Sequence, residues 1–197
     1  MNKQLIIAGG ILLLLVLGAG AVFFAAPRLA PEGNPPAEEP RTEELNTYSS
    51  TELGLAFRYP ANYELRQSSG EKGAEYEARI MLAEAGKADA AGGPVPGEPG
   101  MSITVDVYPL AGGMTAEKWI IDSPDSNYRF AAAPYRLVSI GGKEFATFSW
   151  SGLYEGDTAV HAENGRLYVV TATYIAPDDM TRSDLWNVIL PTFMTAP

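Results

Sequence analysis

The chain has 197 residues, room for one ordinary domain and a tail, and its formal net charge of −10 argues against phosphate backbones and anionic lipid headgroups, so no nucleic-acid partner is expected. It contains no cysteine, which excludes disulfides, thiol chemistry, thiolate metal sites and lipidation of a cysteine behind a signal sequence. Hydrophobic residues make up 46% of the whole but are unevenly spread, and the unevenness divides the chain.

Leu5 to Ala26 holds no charged or polar side chain. About 22 residues of helix reach roughly 33 Å, enough for the hydrocarbon core of a bilayer. Lys3 and the amino terminus flank the short side of this predicted transmembrane helix. The positive-inside rule therefore puts residues 1–4 in the cytoplasm and the bulk outside, a single-pass protein of the cell membrane whose first partner is the lipid bilayer; Arg28, just past the far end, makes the bias modest. The alternative is a cleaved signal, which would leave the domain secreted. Ala19, Ala21, Ala25 and Ala26 offer small residues, but the apolar run is longer than a signal core. A cut after Ala26 would also place Phe24 and Pro27 where a signal peptidase disfavours them. Residues 27–47 follow as a linker. Its stretch Ala30 to Thr47 has four prolines, five glutamates and almost no apolar side chain, so it is expected to be an extended, self-repelling spacer.

Residues 48–197 carry the pattern of one domain, mostly strands. Leu55 to Tyr59 leads into the turn Pro60-Ala61-Asn62, and Tyr63 to Arg66 comes next. Tyr76 to Leu82 alternates, with Tyr76, Ala78, Ile80 and Leu82 on one face and Glu77 and Arg79 on the other. Ala83 to Gly100, rich in Ala, Gly and Pro, reads as a long exposed hairpin loop. Ser102 to Tyr108 alternates Ile103, Val105 and Val107 against Ser102, Thr104 and Asp106, a half-buried strand with one wet face. Thr115 to Ile121 predicts a short helix with Thr115 as N-cap. Tyr135 to Ile140 passes through Gly141-Gly142 into Glu144 to Trp150, and Thr158 to Ala162 passes through Asn164-Gly165 into Arg166 to Ile175, two hairpins. Leu167 to Ile175 is apolar or Thr on both faces, as a covered central strand would be. Asp178 to Met194 predicts a closing helix. Leu185, Val188, Ile189 and Phe193 form its inner face, the acidic residues Asp178, Asp179 and Asp184 favour its start, and Pro191 kinks or ends it. Strands with few helices predict an α+β fold.

The order of the segments GLAFRYPANYEL (Gly54–Leu65), MSITV (Met101–Val105), IGGKE (Ile140–Glu144), GRLYVVTATY (Gly165–Tyr174) and LWNVILPTF (Leu185–Phe193) resembles the PsbP-like domains, over about Tyr48 to Phe193. The resemblance implies a central antiparallel sheet of about six strands flanked by helices, in a membrane-anchored bacterial type. It also implies a non-catalytic accessory or adaptor role with an unidentified membrane or envelope protein as partner. No stretch matches the binding region of the photosynthetic members, so a photosystem role is not implied.

Residues with chemistry are sparse. His161 is the one histidine and reads as a surface or edge-strand residue; with no cysteine to join it, a transition-metal site is not expected. Ser149 and Ser151 flank Trp150 without a nucleophile elbow, so no catalytic residue is assigned. Asp122, Asp125 and Asn127, with Ser123 and Ser126, gather oxygens in one loop. They are the weak candidates for a Ca²⁺ site; the EF-hand pattern is missing, and a helix-ending turn in which Asp and Ser bond the backbone is the favoured reading. Gly92-Gly93 and Gly112-Gly113 lack the context of phosphate loops. Tyr128, Phe130 and Tyr135, around an Ala-rich loop, are the candidates for an exposed binding patch. No cofactor is expected. Three functions remain open: a membrane-tethered accessory or protein-interaction domain outside the cytoplasm, a ligand-binding or sensing module there, and a hydrolase using His161 or the Asp122/Asp125 pair.

Overall fold

The computed structural model describes residues 44–70, 76–85, 101–110 and 112–196. The predicted span Leu5–Ala26 and most of the linker lie outside the described residues. Among the described residues no helix is long and apolar enough to cross a membrane.

Among the described residues ten strands form two antiparallel sheets. The smaller has three strands: β1 (Leu45–Ser50) and β10 (Met194–Thr195) on either side of β2 (Leu55–Pro60). The larger has seven rather than about six. Its members are β3 (Tyr63–Ser69), β4 (Ala78–Glu84), β5 (Ser102–Pro109), β6 (Arg136–Ile140), β7 (Lys143–Ser151), β8 (Glu155–Glu163) and β9 (Arg166–Tyr174), in the spatial order β3-β4-β5-β9-β8-β7-β6. β1 starts at Leu45, inside the stretch read as linker, because it pairs with β2 (Leu45 opposite Pro60) and turns the ring of Tyr48 onto Phe57 at 5.2 Å. β4 and β5 pair directly, so the predicted loop between them joins a hairpin; residues 86–100 of it lie outside the described residues.

Both glycine-bearing turns behave as their residues dictate. Gly141 and Gly142 have φ of +58° and +80°, Asn164 and Gly165 +52° and +74°, the doubly left-handed backbone of a type I′ turn. At Gly141 the turn also abuts the C-terminal helix: a Cβ there would stand 2.7 Å from the Pro191 carbonyl oxygen.

The large sheet is the middle of three layers. One face, with Ile80, Leu82, Ile103, Val105, Val170 and Ala172, packs on the small sheet and the C-terminal helix; Phe57 and Phe193 stack at 6.3 Å at its centre. The other face carries a smaller core of Phe148, Val160, Leu167 and Val169 under Trp119 and Ile120 of α1 (Ala116–Asp122). Thr115 caps α1 as expected, its hydroxyl accepting the Lys118 amide. β9, between β5 and β8, is the covered central strand that its composition predicts. Ile175 falls beyond its end and is exposed.

The closing helix departs from a simple reading. It starts at Met180, with Asp179 as N-cap accepting the Thr181 amide at 2.9 Å. α2 (Met180–Asp184) then runs into a π-helical stretch, Leu185–Ile189, before a last turn, α3 (Leu190–Thr192), that contains Pro191. The extra residue taken up by the π turn rotates α3 about the helix axis relative to α2. Leu190 is therefore buried beside Ile189 while Val188, expected inside, is half-buried. Asp184 does not serve the helix start; it is buried and accepts the Tyr63 hydroxyl at 2.8 Å.

Candidate functional site

α1 covers only part of the outer face of the large sheet. The rest is an open cleft of about 640 Å³. Its floor is built by register. Thr104 of β5, Thr171 of β9 and Thr158 of β8 lie in one row across three strands, and Ser102, Thr173 and Gly156 in the next. Period-two alternation puts these residues on the face opposite the main core. The strand face read as wet is thus the covered floor of a cleft: Ser102 and Asp106 are both buried.

Asp106 is held by Arg79, opposite it on β4, whose Nε and Nη2 donate to the two carboxylate oxygens at 2.6 and 3.0 Å. Burial pushes the Asp106 pKa up, and the Arg79 guanidinium opposes that push. The same guanidinium lies over the Tyr76 ring, 4.8 Å from its centre. Tyr76 accordingly sits on the Arg79 side, with Tyr108 at 6.3 Å, and not with Ala78, Ile80 and Leu82. It precedes β4, so strand alternation does not govern it.

Trp150 supplies the flattest wall. It stands opposite Gly156 across the β7–β8 pair, and a Cβ at Gly156 would fall 2.2 Å from two indole carbons. The ring therefore lies over glycine backbone, and its Nε1 donates to Thr158 Oγ1 at 3.1 Å. Leu153 and Tyr154 of the β7–β8 turn and Phe130, whose neighbour Ala131 bridges to Trp150, complete the mouth; Leu153 is 73% and Phe130 47% exposed.

The candidates from sequence divide around this cleft. Asp125, Asn127 and Phe130 line it. Tyr128 and Tyr135 do not line it and are half-buried against the smaller core, with Tyr128 edge-on to Phe148 at 5.3 Å and to Tyr135 at 6.0 Å, so the aromatic trio is not one exposed patch. Asp122 ends α1 and lines no part of the cleft. In the loop after it, Ser123 accepts the Asp125 amide and Ser126 the Tyr128 amide, the backbone-bonding roles of turn residues. Asp125 accepts a long hydrogen bond, 3.4 Å, from the Tyr108 hydroxyl. Among the described residues no three of His, Cys, Asp and Glu converge as metal ligands would.

Two further polar clusters lie away from the cleft. His161 is on an inner strand and buried, not at the surface or an edge, because β8 is covered by its neighbours. Its ring stacks on Tyr168 at 6.4 Å and lies tilted to Phe145 at 5.2 Å; Nδ1 faces the Glu144 carbonyl at 2.8 Å and Nε2 the Glu163 carboxylate at 3.1 Å. Glu163 also receives Lys143 Nζ at 2.7 Å and the Thr195 hydroxyl, which ties β10 to the large sheet. Lys143, then Thr195 and His161, hold the Glu163 pKa down at about 2. The second cluster centres on Asp157, wholly buried. Ser149 Oγ and Tyr174 Oη donate to one of its oxygens at 2.5 and 3.1 Å, and Arg182 Nε and Trp186 Nε1 to the other at 2.8 and 2.7 Å. Burial alone would raise its pKa, but the bonds from Arg182, Ser149 and Trp186 outweigh it and hold the carboxyl below the usual range. Four donors saturate it, and their effect is to fasten the C-terminal helix to β7, β8 and β9.

Sequence reasoning left out the floor threonines, Trp150 and the Arg79–Asp106 pair. The signal present was the polar set Ser102, Thr104 and Asp106, whose partners Thr171 and Thr173 become visible only once β9 is paired beside β5.

This three-layer α+β domain, built on a large antiparallel sheet with a C-terminal helix closing the core, shares its fold with a PsbP protein. The solution structure of cyanobacterial PsbP from Synechocystis overlays on the chain with a TM-score of 0.51 at 15% identity, covering 84% of this chain and 99% of that one. LpqN of Mycobacterium tuberculosis, described as involved in cell envelope biogenesis, matches at 16% identity and a TM-score of 0.42 over 80% of this chain and 88% of its own. A Bacteroides thetaiotaomicron protein matches at 10% identity and a TM-score of 0.46, over 77% of this chain and 48% of its own. No family model matches the sequence, and no curated protein matches it.

Proposed function

We propose that the chain is a non-catalytic binding domain, tethered outside the cytoplasm by its N-terminal apolar segment, that engages its partner through the cleft on the outer face of the large sheet. The observation that carries this reading is the cleft itself: the exposed Phe130 and Leu153 at the mouth, the Trp150 wall, and a polar floor of threonine hydroxyls. Concave sites of this size with a few convergent polar groups among aromatic walls are the usual form of a binding site. The other chemistry-bearing groups support the same conclusion. Both nitrogens of His161 are engaged, Ser149 donates to Asp157, and Asp157 has all its lone pairs occupied. A tethered accessory domain of the envelope, with a membrane or envelope protein or a soluble ligand at the cleft, fits the apolar segment, the spacer and the PsbP-like fold together.

The test is photocrosslinking in cells, with a photoreactive residue in place of Leu153 or Phe130 at the mouth and in place of the exposed Glu52 outside the cleft as control. Adducts, read by mass spectrometry, are expected from the two mouth positions. Adducts from Glu52 alone, or none, would remove the cleft as the binding surface.

A further inference from the structure

Resting on that reading of the cleft, we propose that its ligand is an uncharged oligosaccharide, one ring of which stacks on Trp150. The indole is fixed in the orientation that such stacking needs. Its inner face lies on the Gly156 backbone and its Nε1 is committed to Thr158, which leaves one broad π face toward the cleft. The axial C–H face of a pyranose presents partial positive hydrogens to that negative face, and its hydroxyls project outward at the rim.

The floor suits those hydroxyls. The hydroxyls of Thr104 and Thr173 have no hydrogen-bond partner among the described residues, and a threonine hydroxyl both donates and accepts, so either can serve a sugar hydroxyl in whichever sense it needs. An acyl chain or other apolar ligand laid on the same floor would strip water from those hydroxyls without replacing its hydrogen bonds, which disfavours it. Charge disfavours the remaining classes. Among the described lining residues Arg79 is the one cation, and its guanidinium is spent on Asp106. On the described floor an anionic ligand would therefore meet no free positive charge, Arg129 lying off it over the Phe130 ring, 4.8 Å from its centre, while Asp125 would repel an anion. Conversely Asp106 is already neutralised, so the depth of the cleft offers a cation little attraction.

The experiment uses the full-length chain in nanodiscs, with tryptophan fluorescence and ligand-observed NMR as readouts. The probes are chitotetraose, cellotetraose and maltotetraose, with tetralysine and tetraglutamate as charged comparisons. Saturable binding of at least one tetrasaccharide is expected. Trp150→Ala should weaken it roughly tenfold or more and Thr173→Val, which keeps strand shape and volume, about threefold. Ile121→Ala on the exposed face of α1 should leave it unchanged. If none of the three sugars binds at up to about 10 mM, a range that still detects weak complexes, the oligosaccharide proposal falls. Binding of tetralysine or tetraglutamate instead, or a protein adduct from the crosslinking positions, would overturn the sugar class while leaving the cleft as the binding surface; no sugar binding together with no adduct would overturn both.

Discussion

Asp157 shows how much of the fold can rest on one residue. Its carboxylate takes four hydrogen bonds from β7, β9 and the C-terminal helix, and replacing it with Ala would strand donors that include a guanidinium. Breaking a buried pair of this kind costs about 3–5 kcal/mol, so Asp157→Ala is expected to lower the denaturation midpoint sharply, with Asp157→Asn intermediate. The folded-state pKa is depressed, so the stabilisation is fully present above the unfolded carboxylate value, about 3.9, and is lost as pH falls through the lower folded value. Glu163, held at about 2, has the same sign, but it is more than a third exposed and its share is small. Urea titrations at pH 6 and across the acid limb should therefore show wild-type stability falling below about pH 4, and Asp157→Asn a flatter limb. Asp106 has the opposite sign. Its pKa is raised, so the folded state tolerates the charge only because Arg79 is there. Arg79→Met is expected to destabilise at neutral pH by about 3 kcal/mol, and the deficit should shrink as acid protonates Asp106. A deficit that stays constant with pH would show that Arg79 acts by packing on Tyr76 and not by charge.

At the scale of elements, the β6–β7 turn separates a local requirement from a tertiary one. Gly141 and Gly142 share the left-handed backbone, which disfavours any residue with a Cβ by about 1–2 kcal/mol. Only Gly141 also faces the Pro191 carbonyl. Gly142→Ala should cost about that strain, and Gly141→Ala about 1–3 kcal/mol more, the range for overpacking; thermal denaturation of the two variants tests the difference. That Gly-Gly marks a hairpin was legible in five residues of sequence, because turn geometry is local. That one of the two glycines is also a docking point for the helix was not, since Pro191 lies far along the chain. The π turn at Leu185–Ile189 is similar. Helical periodicity was visible, but whether Val188 or Leu190 faces the core depends on one extra residue in a single turn, which periodicity alone does not encode.

At the scale of the molecule, the layers are joined at Phe193. It contacts Phe57 of the small sheet and Phe145 and Tyr168 of the large one, at 6.3, 6.0 and 5.6 Å. Phe193→Ala should therefore cost about 3–5 kcal/mol and, because the two sheets share this core, move one cooperative transition, not split it in two. Separate transitions by fluorescence and circular dichroism would show that the small sheet folds independently. The acidic chain with its apolar N-terminal segment is likewise expected to stay with the membrane pellet after alkaline extraction. Release of a shortened chain in the supernatant would favour the cleaved signal.

Class, strand pattern, both glycine turns and the α1 cap followed from the sequence by itself, because each is set by neighbours a few residues apart: alternation, positive φ, a hydroxyl within reach of an amide. The PsbP-like resemblance followed from the order of such segments. Placement of His161 and Tyr76, the seventh strand, and above all the cleft belonged to the tertiary structure. Thr104, Thr158, Thr171 and Trp150 are ordinary strand residues along the chain. They become a floor and a wall because β5, β9, β8 and β7 pair in an order different from their order in sequence, and because a glycine opposite Trp150 lets the indole lie flat. Such long-range pairing is selected by burial of the whole sheet, and no local window of sequence carries it.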